Sequence, residues 1–387
     1  QQKLCIGFVE WHRRTNLHDV VIRSVGAKQD TVVAQSIGDK GCLFRSRLQR
    51  GKIRDKFKSE EESRAARIRE WLATQPWSTG KIGTFGGSQA GFAQNFLAVT
   101  RPPHLVAQHM TDTGLSLYHE GYRIGGCDRP VRFKQMDSVC RVPQHNRLLV
   151  ADWYHHPNYD DYWKAEDCVP HFNKMDVPCF TIGSWFDFMN VGSVESFIGR
   201  QHKGGERSRG KQQMIIGPWV HGGSWANSSK VGDLTYPENS RFNVEEHVVR
   251  WFNHHLKGIA NGVDKDPTVR YYAMGAVDEP NAVGNQYRTA LDWPVPCKPT
   301  PYYLEAGGSL SATAPSIPDS STSYKADPFK PASVGDNVRA FPGAKDAGLF
   351  EKQPNVLTFT TPVLSQPVEW TGKIVAELKV ASDAPDT

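Results

Sequence analysis

Short apolar runs alternate with longer mixed stretches over the first part of the chain. Residues 31–35 (TVVAQ) and 81–86 (KIGTFG) have the composition of buried strands. Residues 89–99 are apolar enough for a buried helix that ends before Pro102, and residues 104–109 are a further strand candidate. Alternation of strand, helix and strand is typical of a parallel sheet with crossover helices.

The middle of the chain interrupts this alternation and then resumes it. Residues 111–172 are rich in aromatic and charged side chains and show no buried strand, which favours a helical insertion covering the sheet. Residues 177–185 and 212–219 are again predicted to be buried strands. Asn243 then caps a predicted helix with one apolar face, and Gly258 ends it.

The pattern changes again from about residue 267. Strand-like runs at residues 269–274 and 356–361 are separated by stretches rich in Pro, Ser and Gly, above all residues 307–343, without helical periodicity. This pattern of short strands and turn-rich stretches predicts a β domain, either a sandwich or a jelly roll, whose strand pattern is incomplete at the end of the sequence.

We therefore predict an α/β fold made of three parts. Residues 1–110 and 173–262 form an α/β core, residues 111–172 form a helical cap, and residues 263–387 form a C-terminal β jelly roll that is incomplete.

Composition excludes several classes of protein. The 387 residues are 39% hydrophobic and 22% charged, as in an ordinary globular chain, and no apolar run reaches the ~18–20 residues that span a bilayer. We expect a soluble protein with no membrane partner. Because the sequence begins with Gln1 rather than Met, the cytoplasm and export after loss of an N-terminal signal both stay open.

Charge and cysteine spacing point to neither a nucleic acid nor a metal. The formal net charge is +5, and basic residues cluster in residues 40–58, but only Phe44 and Phe57 interleave with them. A solvated loop fits this segment better than a nucleic-acid surface. The seven cysteines are dispersed without a CxxC pair, and the paired histidines at 155–156 and 254–255 lack HExxH spacing. We predict no metal and no cofactor.

The sharpest chemical feature is the run Gly86-Gly87-Ser88-Gln89-Ala90-Gly91, between a predicted strand and a predicted helix. A nucleophile elbow holds its serine in such a turn, where small neighbours let strand and helix pass closely. A turn of small residues without any catalytic role is the alternative for this motif taken alone.

Two later predicted strands supply the partners that a serine nucleophile needs. The run TIGSWFD ends a strand in Asp187, and the run IIGPWVH ends another in His221. In α/β-hydrolases the nucleophile, the acid and the histidine follow in this order, each just past a strand end. Asp187 alone could be a helix cap and His221 alone a structural histidine, but the ordered set of three predicts a Ser88–Asp187–His221 triad.

The segments GTFGGSQAG, GSWFDF, GPWVHG and RWFNHHLKG, in this order, resemble the cocaine esterase / X-Pro dipeptidyl-peptidase group of α/β-hydrolases, to which α-amino-acid ester hydrolases also belong. The resemblance covers about residues 71–387 and implies an α/β-hydrolase core, a helical cap and a C-terminal jelly roll. Carried over by motif, Ser88 is the nucleophile, Asp187 the orienting acid and His221 the general base. The backbone N–H of Gln89 becomes one donor of the oxyanion hole.

The chain departs from the family pattern at three points. Gln89 replaces the usual Tyr after the nucleophile, where only the main chain is required. The second oxyanion donor of the family is a Tyr from an early loop, and no Tyr precedes Tyr118 here. The sequence SIGDKG at residues 36–41 replaces an expected Asp-x-Arg-Gly turn.

These features together predict a serine hydrolase that cleaves carboxylic or α-amino-acid esters, or amides, through an acyl-serine intermediate. An X-Pro-type dipeptidyl-peptidase and a catalytically impaired binding module are the alternatives. The expected partner is a small-molecule ester or amide, and self-association into a homo-oligomer stays open. An acidic cluster in the cap, residues 160–167, is a further hypothesis for binding a substrate amine.

Overall fold

The computed structural model describes residues 30–35, 71–76, 78–124, 126–129, 143–316, 321–325, 327, 329–333 and 343–383. The solvated loop predicted for the basic residues 40–58 lies outside the described residues. The chain divides into two compact units, one formed by Gln1–Thr289 with Arg339–Lys345 and the other by Ala290–Val338 with Asp346–Thr387.

A seven-stranded sheet is the centre of the first unit, in the strand order β1-β2-β3-β6-β7-β10-β11. Neighbouring strands from β1 to β10 all pair in parallel. The strands of the described chain are β1 (Asp30–Gln35), β2 (Ser78–Gly87), β3 (Leu105–Thr111), β4 (Arg123–Ile124), β5 (Cys127–Asp128), β6 (Cys179–Phe186), β7 (Gln213–Val220), β8 (Lys230–Val231), β9 (Leu234–Thr235), β10 (Val269–Ala273), β11 (Gln286–Ala290), β12 (Tyr303–Glu305) and β13 (Ser309–Ser311).

Helices connect these strands as the sequence predicted. Those in the described residues are α1 (Gln89–Val99), α2 (Pro143–His155), α3 (Asp161–Lys164), α4 (Asn190–Lys203), α5 (Val244–Lys257) and α6 (Gly348–Glu351). None of the helices in the described residues is long and apolar enough to cross a bilayer. The parallel sheet with its crossover helices confirms the predicted α/β core.

The amphipathic helix α5 packs its apolar face against the central sheet. The Asn243 side chain accepts the N–H of Glu246 at 3.1 Å and caps the helix, and Gly258 ends it in a left-handed conformation with φ 71°. Its apolar face is buried against the sheet so closely that a Cβ on Gly83 would lie 2.4 Å from the ring of Phe252. Glycine at position 83 therefore allows the helix to reach the sheet. The buried residues of this face are Val244, Val248, Trp251, Phe252 and Leu256.

The segment between β3 and β6 is mainly helical in its described part. It contains a π-helical turn over Leu117–Tyr122, the helices α2 and α3, and a 3₁₀ turn over Val169–Lys174. Its side chains form an aromatic cluster with residues of α1 and of the turn before α4. This agrees with the predicted helical insertion, while its role as a cap stays a prediction. The buried members of the cluster are Phe92, Leu117, Tyr118, Tyr122, Trp153, Trp163 and Met189.

Two strands of the part predicted as C-terminal lie in the central sheet. β10 pairs in parallel with β7, and β11 lies beside β10. An apolar strand pattern reveals that a strand is buried, not which strand it pairs with. The first unit accordingly extends to Thr289, beyond the core boundary predicted at residue 262.

The second unit has little regular structure in its described residues. Strands β12 and β13 form an antiparallel hairpin, and Ser309 bridges to Thr360. The remaining described residues add the short helix α6. A jelly roll in this region stays a prediction.

Candidate active site

Ser88 lies in the sharp turn between strand β2 and helix α1. Its backbone has φ 55° and ψ −126°, a conformation that residues with a Cβ rarely adopt and that costs about 1–3 kcal/mol. The Ser88 N–H donates to the carbonyl oxygens of Thr111 at 2.9 Å and of Asp112 at 3.1 Å. The Ser88 carbonyl accepts the N–H of Gly91 at 2.9 Å. This is the strand-to-helix turn that the sequence predicted.

Two glycines permit the close approach of backbone at this turn. A Cβ on Gly87 would lie 2.7 Å from the carbonyl oxygen of Thr111, and a Cβ on Gly91 would lie 2.3 Å from Oγ1 of Thr113. The sequence analysis expected small neighbours around the serine, and the structure shows such close contacts one residue before and three residues after it.

Helix α1 begins directly after the serine, so its first N–H groups have no partner within the helix. Among the described residues no acceptor binds the N–H of Gln89. The first turn of the helix also contains no acidic side chain that would neutralise the partial positive charge there. These properties suit the binding of a developing negative charge.

Asp187 and His221 form a hydrogen-bonded pair. Nδ1 of His221 and Oδ1 of Asp187 lie 2.8 Å apart. The Asp187 side chain is fully buried, whereas 12% of the His221 side-chain surface is exposed. The ring of Phe188 packs against the imidazole with centroids 5.0 Å apart. The buried acid therefore engages Nδ1 of the imidazole.

The three predicted residues follow the carboxyl ends of strands in one parallel sheet. Ser88 follows β2, Asp187 follows β6 and His221 follows β7, and β3 lies between β2 and β6. Because the carboxyl ends of parallel strands meet at the same edge, all three residues lie along that edge.

Asp112 is a fourth residue at this edge, and the sequence analysis missed it. It directly follows β3 with φ 47°, and 1% of its surface is exposed. Its Oδ1 accepts the hydroxyl of Ser184 at 2.6 Å, and its Oδ2 accepts the N–H of Gly222 at 2.7 Å. The sequence signal was an acid just after the strand predicted at residues 104–109, the same position that identified Asp187.

Asp112 and Asp187 influence each other electrostatically. Burial, and next the charge of Asp187, raise the pKa of Asp112 to about 7. The hydrogen bond from Ser184, the charge of His221 and the N–H of Gly222 act in the opposite direction. The site therefore contains two buried carboxyl groups beside one imidazole.

These three side chains are also the group best placed to hold a cation among the described residues. One donor atom each from Asp112, Asp187 and His221 lies within 4.8 Å of the others. Both oxygens of Asp112, Oδ1 of Asp187 and Nδ1 of His221 already have hydrogen-bond partners within the protein. The arrangement suits a hydrogen-bond network better than a metal centre, and the sequence-based expectation of no metal stays a prediction.

The acidic cluster of the insertion has structural partners. Asp160 accepts the N–H of Tyr162 at 2.9 Å and caps helix α3. Asp167 accepts the hydroxyl of Tyr159 at 2.5 Å and the N–H of Val169 at 2.8 Å. These contacts support a structural role for both carboxylates, and amine binding by the cluster stays a hypothesis.

The cysteines of the described chain show no paired sulfurs. Cys168 and Cys179 are buried, and burial raises the pKa of both thiols. Cys127 and Cys297 are exposed. All four are free cysteines, in agreement with the dispersed spacing in the sequence.

Comparisons with known proteins identify relatives over most of the chain. Residues 47–147 and 132–223 match the model of the X-Pro dipeptidyl-peptidase (S15) family, and residues 261–387 match the X-Pro dipeptidyl-peptidase C-terminal non-catalytic domain. The chain is 25% identical to cocaine esterase of Rhodococcus sp. (strain MB1 Bresler) over 389 residues, which cover 85% of this chain and 64% of that enzyme.

Solved structures show the same fold. An α-amino-acid ester hydrolase superposes with a TM-score of 0.62 at 20% identity, covering 79% of this chain and 56% of that one. A CocE/NonD family hydrolase of Staphylococcus aureus superposes with a TM-score of 0.52 at 22% identity, covering 66% of this chain and 42% of that one. The chain thus spans less than two thirds of the length of each of these relatives.

Proposed function

We propose that this chain, a homologue of cocaine esterase with an S15-type region and the matching C-terminal domain, is a serine hydrolase acting on carboxylic or α-amino-acid esters. One observation carries the proposal. A buried Asp187 holds Nδ1 of His221 at the same sheet edge where Ser88 occupies a strained turn at a helix N-terminus. A serine, an acid-oriented imidazole and free N–H groups are the components of acyl transfer.

In the first half of the reaction, Nε2 of His221 takes the proton of the Ser88 hydroxyl while the oxygen attacks the ester carbonyl. The N–H of Gln89 donates to the oxyanion that forms. His221 then protonates the departing alcohol, and the acyl group stays on Ser88. Asp187 stabilises the imidazolium and fixes its orientation.

In the second half, water replaces the alcohol. His221 takes a proton from the water as it attacks the acyl-serine carbonyl, and returns that proton to the Ser88 oxygen as the carboxylic acid leaves. The products are one alcohol and one acid, and no cofactor takes part in the proposed steps.

The decisive test is pre-steady-state hydrolysis of p-nitrophenyl acetate. We expect a burst of p-nitrophenol in the unaltered protein and none in Ser88→Ala. Ser78→Ala is the matched control, because Ser78 lies at the opposite end of the same strand with similar exposure. A fluorophosphonate probe should modify Ser88 alone, as read by peptide mass spectrometry. An undiminished burst in Ser88→Ala, or an adduct on another serine, would refute the proposal.

The family match makes an X-Pro dipeptidyl-peptidase the second candidate. Comparing a dipeptide X-Pro p-nitroanilide with p-nitrophenyl esters of plain and α-amino acids separates the two. Faster turnover of the anilide favours the peptidase, and faster turnover of the esters favours the esterase. A chain that turns over none of them in a Ser88-dependent manner would be a catalytically impaired binding module.

A further inference from the structure

Asp112 joins the two loops that carry the proposed acid and base. The hydroxyl of Ser184, three residues before Asp187, donates to its Oδ1 at 2.6 Å. The N–H of Gly222, the residue after His221, donates to its Oδ2 at 2.7 Å. One carboxyl group thereby bridges segments that lie 72 and 110 residues further along the chain.

The backbone of Asp112 adds a third connection. Its carbonyl oxygen accepts the N–H of Ser88 at 3.1 Å, in the turn that holds the proposed nucleophile. The φ of 47° directs backbone and side chain to these different partners, and Asp and Asn are among the few residues that tolerate this conformation. The loops of all three proposed catalytic residues therefore meet at a single buried side chain.

The environment makes each contact of Asp112 strong. The residue is 1% exposed, so no bulk water competes for its oxygens, and hydrogen bonds to a carboxyl group in such surroundings are stronger than those between neutral groups. Its carboxyl oxygen and the donor atoms of Asp187 and His221 lie within 4.8 Å of one another. Loss of the carboxyl would leave the Ser184 hydroxyl and the Gly222 N–H without this acceptor.

We propose that Asp112 is a positioning residue of the hydrolase site. It holds the loops of Ser88, Asp187 and His221 in the relative positions that acyl transfer requires. This inference rests on the proposed function. Small displacements of catalytic groups carry large rate penalties, since a shift of about 1 Å costs up to about 10²-fold in rate. Asp112 therefore acts on kcat, whereas a merely structural residue would act on the free energy of unfolding alone.

The test uses three variants that separate the contacts. Asp112→Ala removes both side-chain acceptors. Asp112→Asn retains the shape, since its amide oxygen still accepts the Gly222 N–H and its NH₂ donates to the Ser184 hydroxyl. Ser184→Ala removes one contact and keeps the carboxyl. Asp176→Ala is the matched control, because this aspartate accepts the backbone N–H and Nε of Arg207 beyond the other end of the sheet.

The readouts are kcat and KM for p-nitrophenyl acetate at pH 8, with enzyme concentration taken from active-site titration, and the urea midpoint of each variant. We expect kcat of Asp112→Ala to fall by about 10–10²-fold with little change in KM, and Asp112→Asn to recover most of it. Ser184→Ala should lower kcat to a smaller extent. Asp176→Ala should lower the urea midpoint and leave kcat unchanged.

An unchanged kcat in folded Asp112→Ala overturns the inference. If Asp112→Ala does not fold, Ser184→Ala provides the test. An unchanged kcat in Ser184→Ala then overturns the inference as well. Ser88→Ala measured alongside separates this from the broader proposal. Full turnover in Ser88→Ala refutes the proposed function, whereas its loss together with a normal Asp112→Ala refutes only the role of Asp112.

Discussion

Nδ1 of His221 and Oδ1 of Asp187 lie 2.8 Å apart, joining the loops that follow two adjacent parallel strands. The contact selects the imidazole tautomer with its proton on Nδ1, which leaves Nε2 able to accept a proton from a hydroxyl. The orientation of the His221 imidazole thus depends directly on a carboxylate whose side chain is fully buried.

Replacing Asp187 with Asn should therefore impair chemistry more than binding. The amide can donate to Nδ1 and favour the wrong tautomer, so we expect kcat for p-nitrophenyl acetate to fall by roughly 10³–10⁴-fold. KM should change little. Asp161→Asn, at a side chain that is 91% exposed, is the control and should retain full turnover. A loss below tenfold in Asp187→Asn would argue against the proposed triad.

The close contact at Gly91 predicts that a larger residue at this position lowers stability and slows labelling of Ser88. A Cβ there would lie 2.3 Å from Oγ1 of Thr113, so Gly91→Ala should force helix α1 away from its position. We expect a loss of about 1–3 kcal/mol in the free energy of unfolding, measured in urea, and slower fluorophosphonate labelling of Ser88. Gly121→Ala is the control, since its nearest neighbour is the flexible end of Leu117 at 3.3 Å. Equal effects of the two substitutions would contradict the prediction.

The electrostatic coupling at the site predicts a change in pH dependence. Burial, and next the charge of Asp187, raise the pKa of Asp112 to about 7, so this carboxyl changes its charge in the neutral pH range. Ionised Asp112 is the stronger acceptor for the Ser184 hydroxyl and the Gly222 N–H, so kcat/KM should rise in a step near pH 7. Asp112→Asn should lack this step, and Asp176→Asn should retain it. A step near pH 7 that persists in Asp112→Asn would contradict the prediction.

A buried histidine pair predicts how stability depends on pH. Nε2 of His109 and Nδ1 of His247 lie 3.4 Å apart in the core, and burial lowers the pKa of both, to about 3 for His247. Between about pH 6.5 and pH 3 the unfolded chain binds protons that the folded chain does not. Stability should therefore be greatest above pH 6.5 and fall below it, by about 1.4 kcal/mol per pH unit for each histidine.

The measurement is urea unfolding at several pH values between 7 and 5. In His247→Gln the free energy of unfolding should fall less steeply with decreasing pH. The difference in slope should correspond to about one proton, or about 1.4 kcal/mol per pH unit. His202→Gln, at an exposed position on α4, is the control and should reproduce the original slope. An identical pH dependence in His247→Gln and the unaltered protein would exclude the pair as its cause.

Much of the site could be predicted because strand ends carry a local signal. The apolar runs before Asp187 and His221 identify buried strands, and parallel strands bring their carboxyl ends to one edge. The small residues around Ser88 signal a tight turn from strand to helix. The family resemblance and the predicted α/β fold are confirmed, whereas the catalytic roles of the residues stay predictions.

The contacts between loops could not be predicted in the same way. Asp112 follows its strand as Asp187 follows another, but its partners Ser184 and Gly222 lie far along the chain, and no periodic pattern encodes their approach. The pairing of strand β10 with β7 could not be predicted for a similar reason, because the apolar pattern of Val269–Ala273 does not identify its pairing partner. Both features depend on tertiary packing.

The strained backbone of Ser88 has a practical consequence for protein engineering. Glycine adopts positive φ at little cost, so Ser88→Gly would relax the turn while it removes the hydroxyl. A screen that ranks variants of this protein by melting temperature alone will therefore favour molecules that lack the nucleophile. Selection for thermostability needs an activity readout at every round.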